Sequence, residues 1–582
     1  MSMLAIAVPG ARAGARSARR VLRRPSTATL CFLGCFALYL AAGAFVAFTG
    51  SADSLGGDGV SRVAIANRIL FSADPHLAAI GFVWSPIPEL ALLPLVALRP
   101  IWPFLVTGAF AGTIISALFM AGAVAQVLGL LGDIGVGRRM QWVLTAGFAL
   151  HPLILLYAAN GMSEAPFIFF LLLTARQLDQ WLRKRQTGAL VATGLYLALG
   201  YLTRYEAAAA AVAVLVVVSF ATLQATKGGL QHRLRSAAVD VTIVIAPFVT
   251  AFTVWAAISW LITGSAFDQF SSNYGNQVQL QTQGLGGHET LAQIAHLAST
   301  AATWTLGLEP LLPLVAIAGL AVIIRRRDWP ALGVPVVLGT VVAFMGWAFV
   351  SGKLDYEMRY FILAVPLTVS LVGAAIAPDR RSSAACDARA ASHASGAETA
   401  AHRAPSRSPG RLPKVIAGLA MAVTIPVAFV AIVNPSYDTR EAYAVQALLN
   451  RGTLTARQRA AAVRPNVEEE ISRYVDALRL PEASVLLDDF TGYIIPMTST
   501  HPDQYVITSD RDFLQVLDDP GANGIEYVLI PENRGIATLD AINRAYPNAY
   551  ATGQGIGTLV RTFYDHSDLD SNWRLYRVSS SG

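Results

Sequence analysis

Charged side chains that could take part in chemistry occur at four places in this chain, each beside a long apolar run. They are Asp58 within Gly56–Gly57–Asp58–Gly59, Glu164, the pair Arg204 and Glu206, and the pair Arg359 and Tyr360. A charge this close to membrane hydrocarbon is costly unless it is paired or functional. A carboxylate can act as a general base, and an arginine can hold a phosphate through two hydrogen bonds.

Asp58 comes just before residues 60–70, whose apolar spacing predicts an amphipathic helix that also carries Arg62. The neighbouring glycines are expected to leave the backbone open to a substrate, which favours a functional carboxylate. The simpler alternative is that Asp58 only caps this helix.

The other three sites also have structural alternatives. Glu164 could be a partner for the dipole of the helix that it begins. Arg204 and Glu206 could simply pair with each other. Arg359 and Tyr360, close to Lys353, Asp355 and Glu357, could be anchors at the membrane interface.

The composition decides the class of protein that must position these residues. Of the 582 residues, 54% are hydrophobic and only 14% are charged, whereas a soluble domain has about a quarter charged residues. The charges are clustered between apolar runs of roughly 20 residues, the length that crosses a bilayer. The net charge of +6 comes from basic residues at the ends of these runs, which indicates membrane topology and excludes nucleic-acid binding.

Basic clusters predict which turns are cytoplasmic, and successive clusters must be joined by an even number of crossings. This rule predicts a polytopic α-helical membrane protein of about 11 transmembrane helices in the inner (plasma) membrane. The predicted helices are 28–48, 103–131, 141–158, 164–182, 187–202, 206–223, 237–262, 308–324, 330–350, 360–377 and 415–433. Residues 77–98 are rich in proline and are predicted to be juxtamembrane or re-entrant.

The same rule divides the chain into regions. Residues 1–27 form a basic cytoplasmic N-terminus, residues 28–377 a transmembrane module with an outer loop at 49–102, and residues 378–414 a disordered cytoplasmic linker. The segment 263–307 is predicted to be a polar outer stretch. After the last helix at 415–433, residues 434–582 are predicted to form a small extracytoplasmic α/β domain with strands at 484–487, 505–508, 526–530 and 574–578.

This topology brings all four charged sites to one face of the membrane. A base, two arginines and a proline-broken groove open to the bilayer would suit a sugar carried on a polyprenyl phosphate. The site residues also resemble those of the GT-C glycosyltransferases over residues 28–377, and the resemblance rests on Asp58, Glu164, Leu202–Thr203–Arg204 and Arg359–Tyr360. It is strongest to bacterial relatives of the protein O-mannosyltransferase and aminoarabinose-transferase branches, whose first outer loop lies along the membrane.

The resemblance implies a GT-C-like fold and an inverting transfer from a polyprenyl-phosphate-linked sugar to a glycan, lipid or protein acceptor. Asp58 and Glu164 are the predicted catalytic residues, and Arg204 and Arg359 are predicted to bind the donor phosphate. Further candidates for the pocket are Arg62, Glu206 and Tyr360.

The first outer loop departs from the family pattern, because it lacks an adjacent or Asp-x-Asp pair of carboxylates: Asp53 and Asp58 are five residues apart. No metal ligand is therefore assigned, a divalent metal is left open, and no other cofactor is expected. The alternative functions are a transporter or flippase and a polymerase or ligase for a lipid-linked glycan. Transporters usually have internal repeats and charges near the bilayer midplane, and this sequence shows neither.

Overall fold

The computed structural model describes residues 26–48, 57–282, 290–378, 411–434, 466–565 and 572–579, together with a few positions between 436 and 449. Most of the predicted cytoplasmic N-terminus and of the 378–414 linker, together with residues 49–56 of the outer loop, lies outside the described residues. The predictions for those segments stay predictions.

The described residues up to 433 are mainly helical and contain no strand. In chain order the helices are α1 (Thr27–Phe48), α2 (Gly57–Phe71), α3 (Ile87–Val96), α4 (Phe104–Thr107), α5 (Phe110–Asp133), α6 (Arg138–Ala149), α7 (Pro152–Ala159), α8 (Glu164–Lys184), α9 (Thr187–Tyr201), α10 (Ala207–Ala225), α11 (Leu230–Thr263), α12 (Asp268–Ser271), α13 (Asn276–Thr282), α14 (Leu291–Leu308), α15 (Leu312–Arg326), α16 (Gly333–Val350), α17 (Ala364–Ile376) and α18 (Arg411–Val433). One large apolar cluster, with members from α1, α5, α8 and α10 among others, forms the core.

Six of the described helices are long and apolar enough to cross a membrane, and the number rises to eight if each of two bent helix pairs is one span. The pairs are α6 with α7, bent by 60°, and α14 with α15, bent by 76°. The chain is thus a multi-pass membrane protein. Every one of the eleven predicted spans contains a helix, but several are short or carry charges, so the count of eleven stays a prediction.

The predicted outer stretch 263–307 is only partly irregular, because it contains the 18-residue helix α14. Thr290 and Gln293 form a capping box at its start, and its buried residues include Leu297, Ala301, Trp304 and Leu308. This three-to-four-residue spacing is that of an amphipathic helix lying on a core, and sequence reasoning overlooked it because the surrounding segment is polar.

The proline-rich segment 77–98 forms a 3-10 turn, Leu77–Ile80, followed by α3. Ten helical residues extend about 15 Å, roughly half the thickness of a hydrocarbon core. α3 alone is therefore too short to span a membrane, and its backbone N–H at Ile87 instead donates to the carbonyl of Leu202 over 2.9 Å. This bond ties the first loop to the corner that carries Arg204.

Residues 466–565 and 572–579 form an α/β domain in the predicted region. Its helices are α19 (Asn466–Leu478), α20 (Asp489–Gly492), α21 (Ile494–Thr498), α22 (Phe513–Asp518), α23 (Ala541–Ala545) and α24 (Ala549–Thr552). Its strands are β1 (Val485–Leu486), β2 (Tyr505–Val506), β3 (Tyr527–Pro531), β4 (Gly557–Phe563) and β5 (Trp573–Val578). They form one sheet in the order β2-β1-β3-β5-β4, parallel among the first three strands and antiparallel at β5 and β4.

All four predicted strands are present, and the structure also contains β4, which the sequence did not predict. β4 is an edge strand whose side chains are mostly exposed, so its sequence lacks the apolar run that marks the buried strands. Two apolar clusters cover the sheet, one around Val528 and Ile530 and the other around Leu529 and Trp573. The alternation of neighbouring β3 residues between the clusters is the two-residue period of a strand with both faces covered.

Candidate active site

Glycines bring the helix of Asp58 into contact with the corner before α8. A Cβ at Gly59 would lie 2.4 Å from the carbonyl oxygen of Asn160, and one at Gly112 would lie 3.1 Å from the Cα of Gly161. Gly161 itself has a φ of +78°, a conformation that favours glycine. The expectation that the glycines leave the backbone open to a substrate is therefore wrong for Gly59, whose missing side chain is needed for packing.

The close approach places Asp58 beside a network of charged residues. The Oδ2 of Asp58 lies 2.9 Å from the Nη2 of Arg359, and the Nη1 of Arg359 lies 3.8 Å from the Oε1 of Glu164. The Nε of Arg359 also forms an ion pair with Glu357. One guanidinium group thus links three carboxylates that come from α2, α8 and the 351–359 corner.

Arg204 is the second centre of this network. Its Nη1 donates to the Oε1 of Glu164 over 2.6 Å and to the hydroxyl of Ser163 over 3.1 Å. Its Nη2 donates to the Oε1 of Glu206 over 2.7 Å. Arg204 and Glu206 therefore do pair with each other, as the simpler alternative supposed, but Arg204 also reaches Glu164.

The structure thus brings together all four of the principal predicted residues and adds Glu206 and Glu357. We call this group the site cluster; its members are Asp58, Glu164, Arg204, Glu206, Glu357 and Arg359. Glu164 is buried with 3% of its side chain exposed, whereas 41% of the Asp58 side chain is exposed. Asp58 is accordingly the most exposed carboxylate of this cluster.

The electrostatics of the site cluster are unbalanced. It holds four carboxylates and two guanidinium groups, so its formal charge is −2 when all are ionised. Burial would by itself raise the pKa of Glu206, but Arg204 more than offsets this and holds that pKa below its ordinary value. Burial likewise acts to lower the pKa of Arg204, yet Glu206 and Glu164 raise it above its ordinary value.

A buried oxygen of Glu164 has no hydrogen-bond partner among the described residues. Glu164 uses its Oε1 for both arginines, and its Oε2 has no hydrogen-bond partner among the described residues. A buried carboxylate oxygen without a partner costs free energy. This oxygen is therefore ready to accept a hydrogen bond from a bound hydroxyl.

Arg62 and Tyr360 lie at the margin of the site cluster. Arg62 is one helical turn beyond Asp58, but its Nη1 pairs with Glu89 of α3 and its guanidinium stacks over Trp84 at 4.5 Å. Both of these contacts of Arg62 are therefore with residues of the first outer loop. The ring of Tyr360 lies 5.5 Å from the guanidinium carbon of Arg359, which gives it a supporting position beside the network.

The sequence did not lead us to name Glu89 or Glu357 as candidate site residues. Glu89 is 1% exposed and Glu357 is 6% exposed, and a buried carboxylate requires a partner. The signal for Glu89 was present, because it is a single acid in an apolar segment between Pro88 and Pro94. The signal for Glu357 was weaker, because Asp355 and Lys353 lie close to it in the chain.

Neither a metal site nor an open phosphate site is evident in the residues that the structure describes. No group of three or more His, Cys, Asp or Glu side chains among them is arranged to hold a metal ion. The guanidinium groups of Arg204 and Arg359 meet at Glu164, but both are directed at carboxylates. A phosphate would have to share or replace one of those carboxylate contacts.

Searches of protein-family models and of curated protein sequences find no match for this chain. Among solved structures it is similar to ArnT from Cupriavidus metallidurans, determined in the apo state and bound to undecaprenyl phosphate. Both comparisons give 15% identity and a TM-score of 0.52, and cover 94% of this chain and 99% of ArnT.

A weaker similarity, which carries no argument, is to the archaeal oligosaccharyltransferase AglB from Archaeoglobus fulgidus. It has 11% identity and a TM-score of 0.41, and it covers 89% of this chain and 70% of AglB. At 15% identity the likeness to ArnT concerns the architecture alone. The chain therefore has the fold of ArnT, which is the GT-C fold that its sequence predicts.

Proposed function

We propose that this protein is an integral membrane glycosyltransferase that moves a sugar from a polyprenyl-phosphate donor to an acceptor hydroxyl on the non-cytoplasmic face. The observation that supports this most directly is the position of Asp58, an accessible carboxylate fixed 2.9 Å from a buried arginine at a helix boundary. The fold shared with ArnT, whose crystal structure contains undecaprenyl phosphate, supports the class of donor.

Asp58 is the general base in this proposal. As the acceptor oxygen bonds to the anomeric carbon of the sugar, the bond from that carbon to the donor phosphate breaks and Asp58 takes the acceptor proton. Arg359 keeps the carboxylate oriented through the contact with its Oδ2. A positioned base of this kind contributes about 100- to 10,000-fold in rate.

Glu164 is proposed to hold one of the reacting molecules. Its Oε1 is fixed by Arg204, so its Oε2 has a defined direction and can accept a hydrogen bond from a hydroxyl of the acceptor or of the sugar. This second acidic residue completes the pocket without competing for the proton that Asp58 removes.

Of the two predicted phosphate ligands, Arg359 is better placed than Arg204. Arg204 makes hydrogen bonds of 3.1 Å or less to Ser163, Glu164 and Glu206. Arg359 forms short ion pairs with Asp58 and Glu357, but its Nη1 has only longer contacts, 3.8 Å to Glu164 and 3.7 Å to the sulfur of Met162. A donor phosphate can take this loose position at lower cost. Arg204 would then act mainly by holding Glu164 and Glu206 in place.

The proposed orientation follows from the positive-inside rule, with the site cluster, the C-terminus and residues 434–582 outside and residues 378–414 in the cytoplasm. Reporter fusions at residues 400 and 582 test it. Signals from opposite sides of the membrane are expected. Signals from the same side would contradict the orientation and the eleven-helix topology.

The activity itself is tested with purified protein in liposomes, radiolabelled polyprenyl-phosphate sugars and a membrane extract as the source of acceptors. Mannose and arabinose donors are the first to be compared. Label should move from the lipid donor to a second product, and the Asp58→Asn protein should not produce it. Movement of intact donor across the bilayer without transfer would contradict the proposal and identify a flippase.

A further inference from the structure

The helix that carries Asp58 is held at its other end by the C-terminal domain. The Nη1 of Arg68, near the end of α2, lies 2.8 Å from the Oδ2 of Asp489, and the two side chains are only 18% and 4% exposed. The Nε of Arg68 also donates to the carbonyl of Ala79 over 2.8 Å. One arginine thus fixes α2 to the domain and to the first outer loop.

A second buried arginine connects the same elements. Arg99 is 7% exposed, and it donates through one nitrogen to the Oδ1 of Asn67 on α2 and through another to the carbonyl of Ser499. Because Asn67 and Arg68 are neighbours on α2, two consecutive residues of the helix are tied to residues 488–499 of the domain.

Apolar contacts extend this attachment along the helix toward Asp58. Met497 is completely buried in one cluster with Val60, Val63 and Ala64 of α2, and Tyr493 packs against that cluster. The hydroxyl of Tyr493 lies 3.7 Å from the position that a Cβ would take at Gly57. Residues 488–499 therefore pack against α2 from near its start, close to Asp58, to its far end.

The same segment is itself tied to another loop. The hydroxyl of Tyr274, just before α13, donates to the Oδ2 of Asp488 over 3.0 Å, and its ring packs on Phe490 with the centroids 4.7 Å apart. Asp488 also accepts the backbone N–H groups of Phe490 and Ala541. Residues 488–499 are thus held from both sides and are a fixed support for α2.

We infer that residues 488–499 of the C-terminal domain are a positioning element for Asp58, and that the Arg68–Asp489 ion pair is its most specific contact. The Asp58 side chain is the most exposed of the site cluster, so its placement depends on where its helix lies. A rigid helix of 15 residues transmits a shift at Arg68 to its first turn. This inference rests on the proposed role of Asp58 as the base.

The test uses Asp489→Asn in the full-length protein, with kcat and the donor KM measured separately. The hydroxyl of Thr508 donates a hydrogen bond to Oδ1 of Asp489. Asn keeps the shape and can still accept that bond, but it removes the charge that Arg68 contacts. A misplaced reacting group can lower a rate by about 10- to 100-fold, so kcat should fall within that range while the donor KM changes less than about threefold. Arg68→Lys, which keeps the charge, should recover part of the activity that Arg68→Met loses.

The decisive comparison combines Asp489→Asn with Asp58→Asn. A residue that acts through Asp58 should cause no further loss of kcat once the base is removed, because coupled residues are non-additive. Equal fold losses of kcat in the wild-type and Asp58→Asn backgrounds would contradict the positioning role. If neither wild type nor any variant transfers sugar, the proposed function fails instead.

Arg511→Ala is the matched control. Arg511 also joins the domain to the first loop, through a 2.7 Å contact from its Nε to Asp74, but Asp74 lies beyond the end of α2 and Arg511 is highly exposed. Its loss should leave kcat within about twofold of wild type. A loss in Arg511→Ala as large as that in Asp489→Asn would show that domain attachment in general, not this ion pair, matters.

Discussion

Two groups of charged residues lie near the two ends of α8, and they differ in construction. The site cluster surrounds Glu164 at the first residue of the helix. The second group, the far cluster, consists of Asp179, Arg183 and Asp328. From Glu164 to Arg183 the helix extends about 28 Å, close to the thickness of a hydrocarbon core of about 30 Å. The two groups are therefore separated along α8 by about the thickness of a hydrocarbon core.

The far cluster is nearly closed within one helix. Arg183 donates its Nε to both carboxylate oxygens of Asp179 at 2.9 Å, four residues earlier in α8, and its Nη1 reaches Asp328 at 3.4 Å. Such a group anchors a helix end. The site cluster instead takes residues from α2, α8 and two corners, has an excess of carboxylates, and leaves a buried oxygen of Glu164 without a described partner.

The difference separates anchoring from function. A charged residue at a membrane boundary needs only a partner of opposite charge. The far cluster supplies that partner mostly from within one helix, so few distant segments have to be brought together. Bringing several distant segments together around two arginines costs more, and it places four carboxylates around them. This pattern is expected of a site built for a substrate.

The largest expected effect is that of Asp58→Asn. Asn keeps the shape of the side chain and can still accept a hydrogen bond from Arg359, which also keeps its ion pair with Glu357, so membrane insertion and thermal unfolding should change little. Transfer should fall by about 100- to 10,000-fold because the basicity is lost. Initial rates with labelled donor, together with the unfolding temperature in detergent, give both quantities.

Glu164→Gln should have the next largest effect. The amide keeps the volume but weakens the bond from Arg204 and turns one oxygen into a donor. A hydrogen bond to a charged group contributes about 1.5–3 kcal/mol, which corresponds to roughly a 10- to 100-fold loss of kcat/KM. Steady-state kinetics with varied acceptor measures it. Kinetics equal to wild type would make Glu164 a structural partner of Arg204.

Substitution of each arginine by lysine should have different effects at the two positions. Lysine keeps the charge but not the planar fork of the guanidinium group. Arg359→Lys should weaken donor binding about tenfold with little loss of stability. Arg204→Lys should lower the unfolding temperature while donor binding stays within about threefold, because several of its short bonds are lost. Titration with a polyprenyl phosphate and thermal unfolding report the two effects. Normal donor binding by both variants would make the arginines membrane anchors only.

The smallest effect on transfer is expected from the far cluster. Arg183→Met leaves Asp179 buried without its arginine, so stability should fall by about 1–3 kcal/mol. Turnover per folded molecule should stay within about threefold of wild type. Thermal unfolding and rates normalised to monodisperse protein check this expectation. A loss of turnover comparable to that of Asp58→Asn would remove the distinction between the two groups.

Much of the fold and of the site could be predicted from the sequence. Apolar runs and basic clusters locate helices because the bilayer imposes length and charge placement, and charged residues at helix boundaries stand out for the same reason. This is why Asp58, Glu164, Arg204 and Arg359 could be named and are found together.

Other features depend on tertiary packing that no local pattern reports. Gly59 and Asn160 approach each other only because two segments far apart in the chain are packed together. The sequence does not report this packing, so Gly59 was attributed to substrate access. The pairing of Arg62 with Glu89 and the attachment of Arg68 to Asp489 likewise join residues far apart in the chain. Helix α14 escaped prediction because its apolar stripe lies within a polar segment.

The measurement that tests the central claim most directly is turnover by two matched variants, Asp58→Asn in the site cluster and Asp179→Asn in the far cluster. Both remove one carboxylate charge with little change of shape, and both are compared with wild type at equal amounts of folded protein. Our account predicts at least a 100-fold loss for Asp58→Asn and a change of no more than about threefold for Asp179→Asn. Transfer by Asp58→Asn within about threefold of wild type would contradict the account and would leave Glu164 as the candidate base.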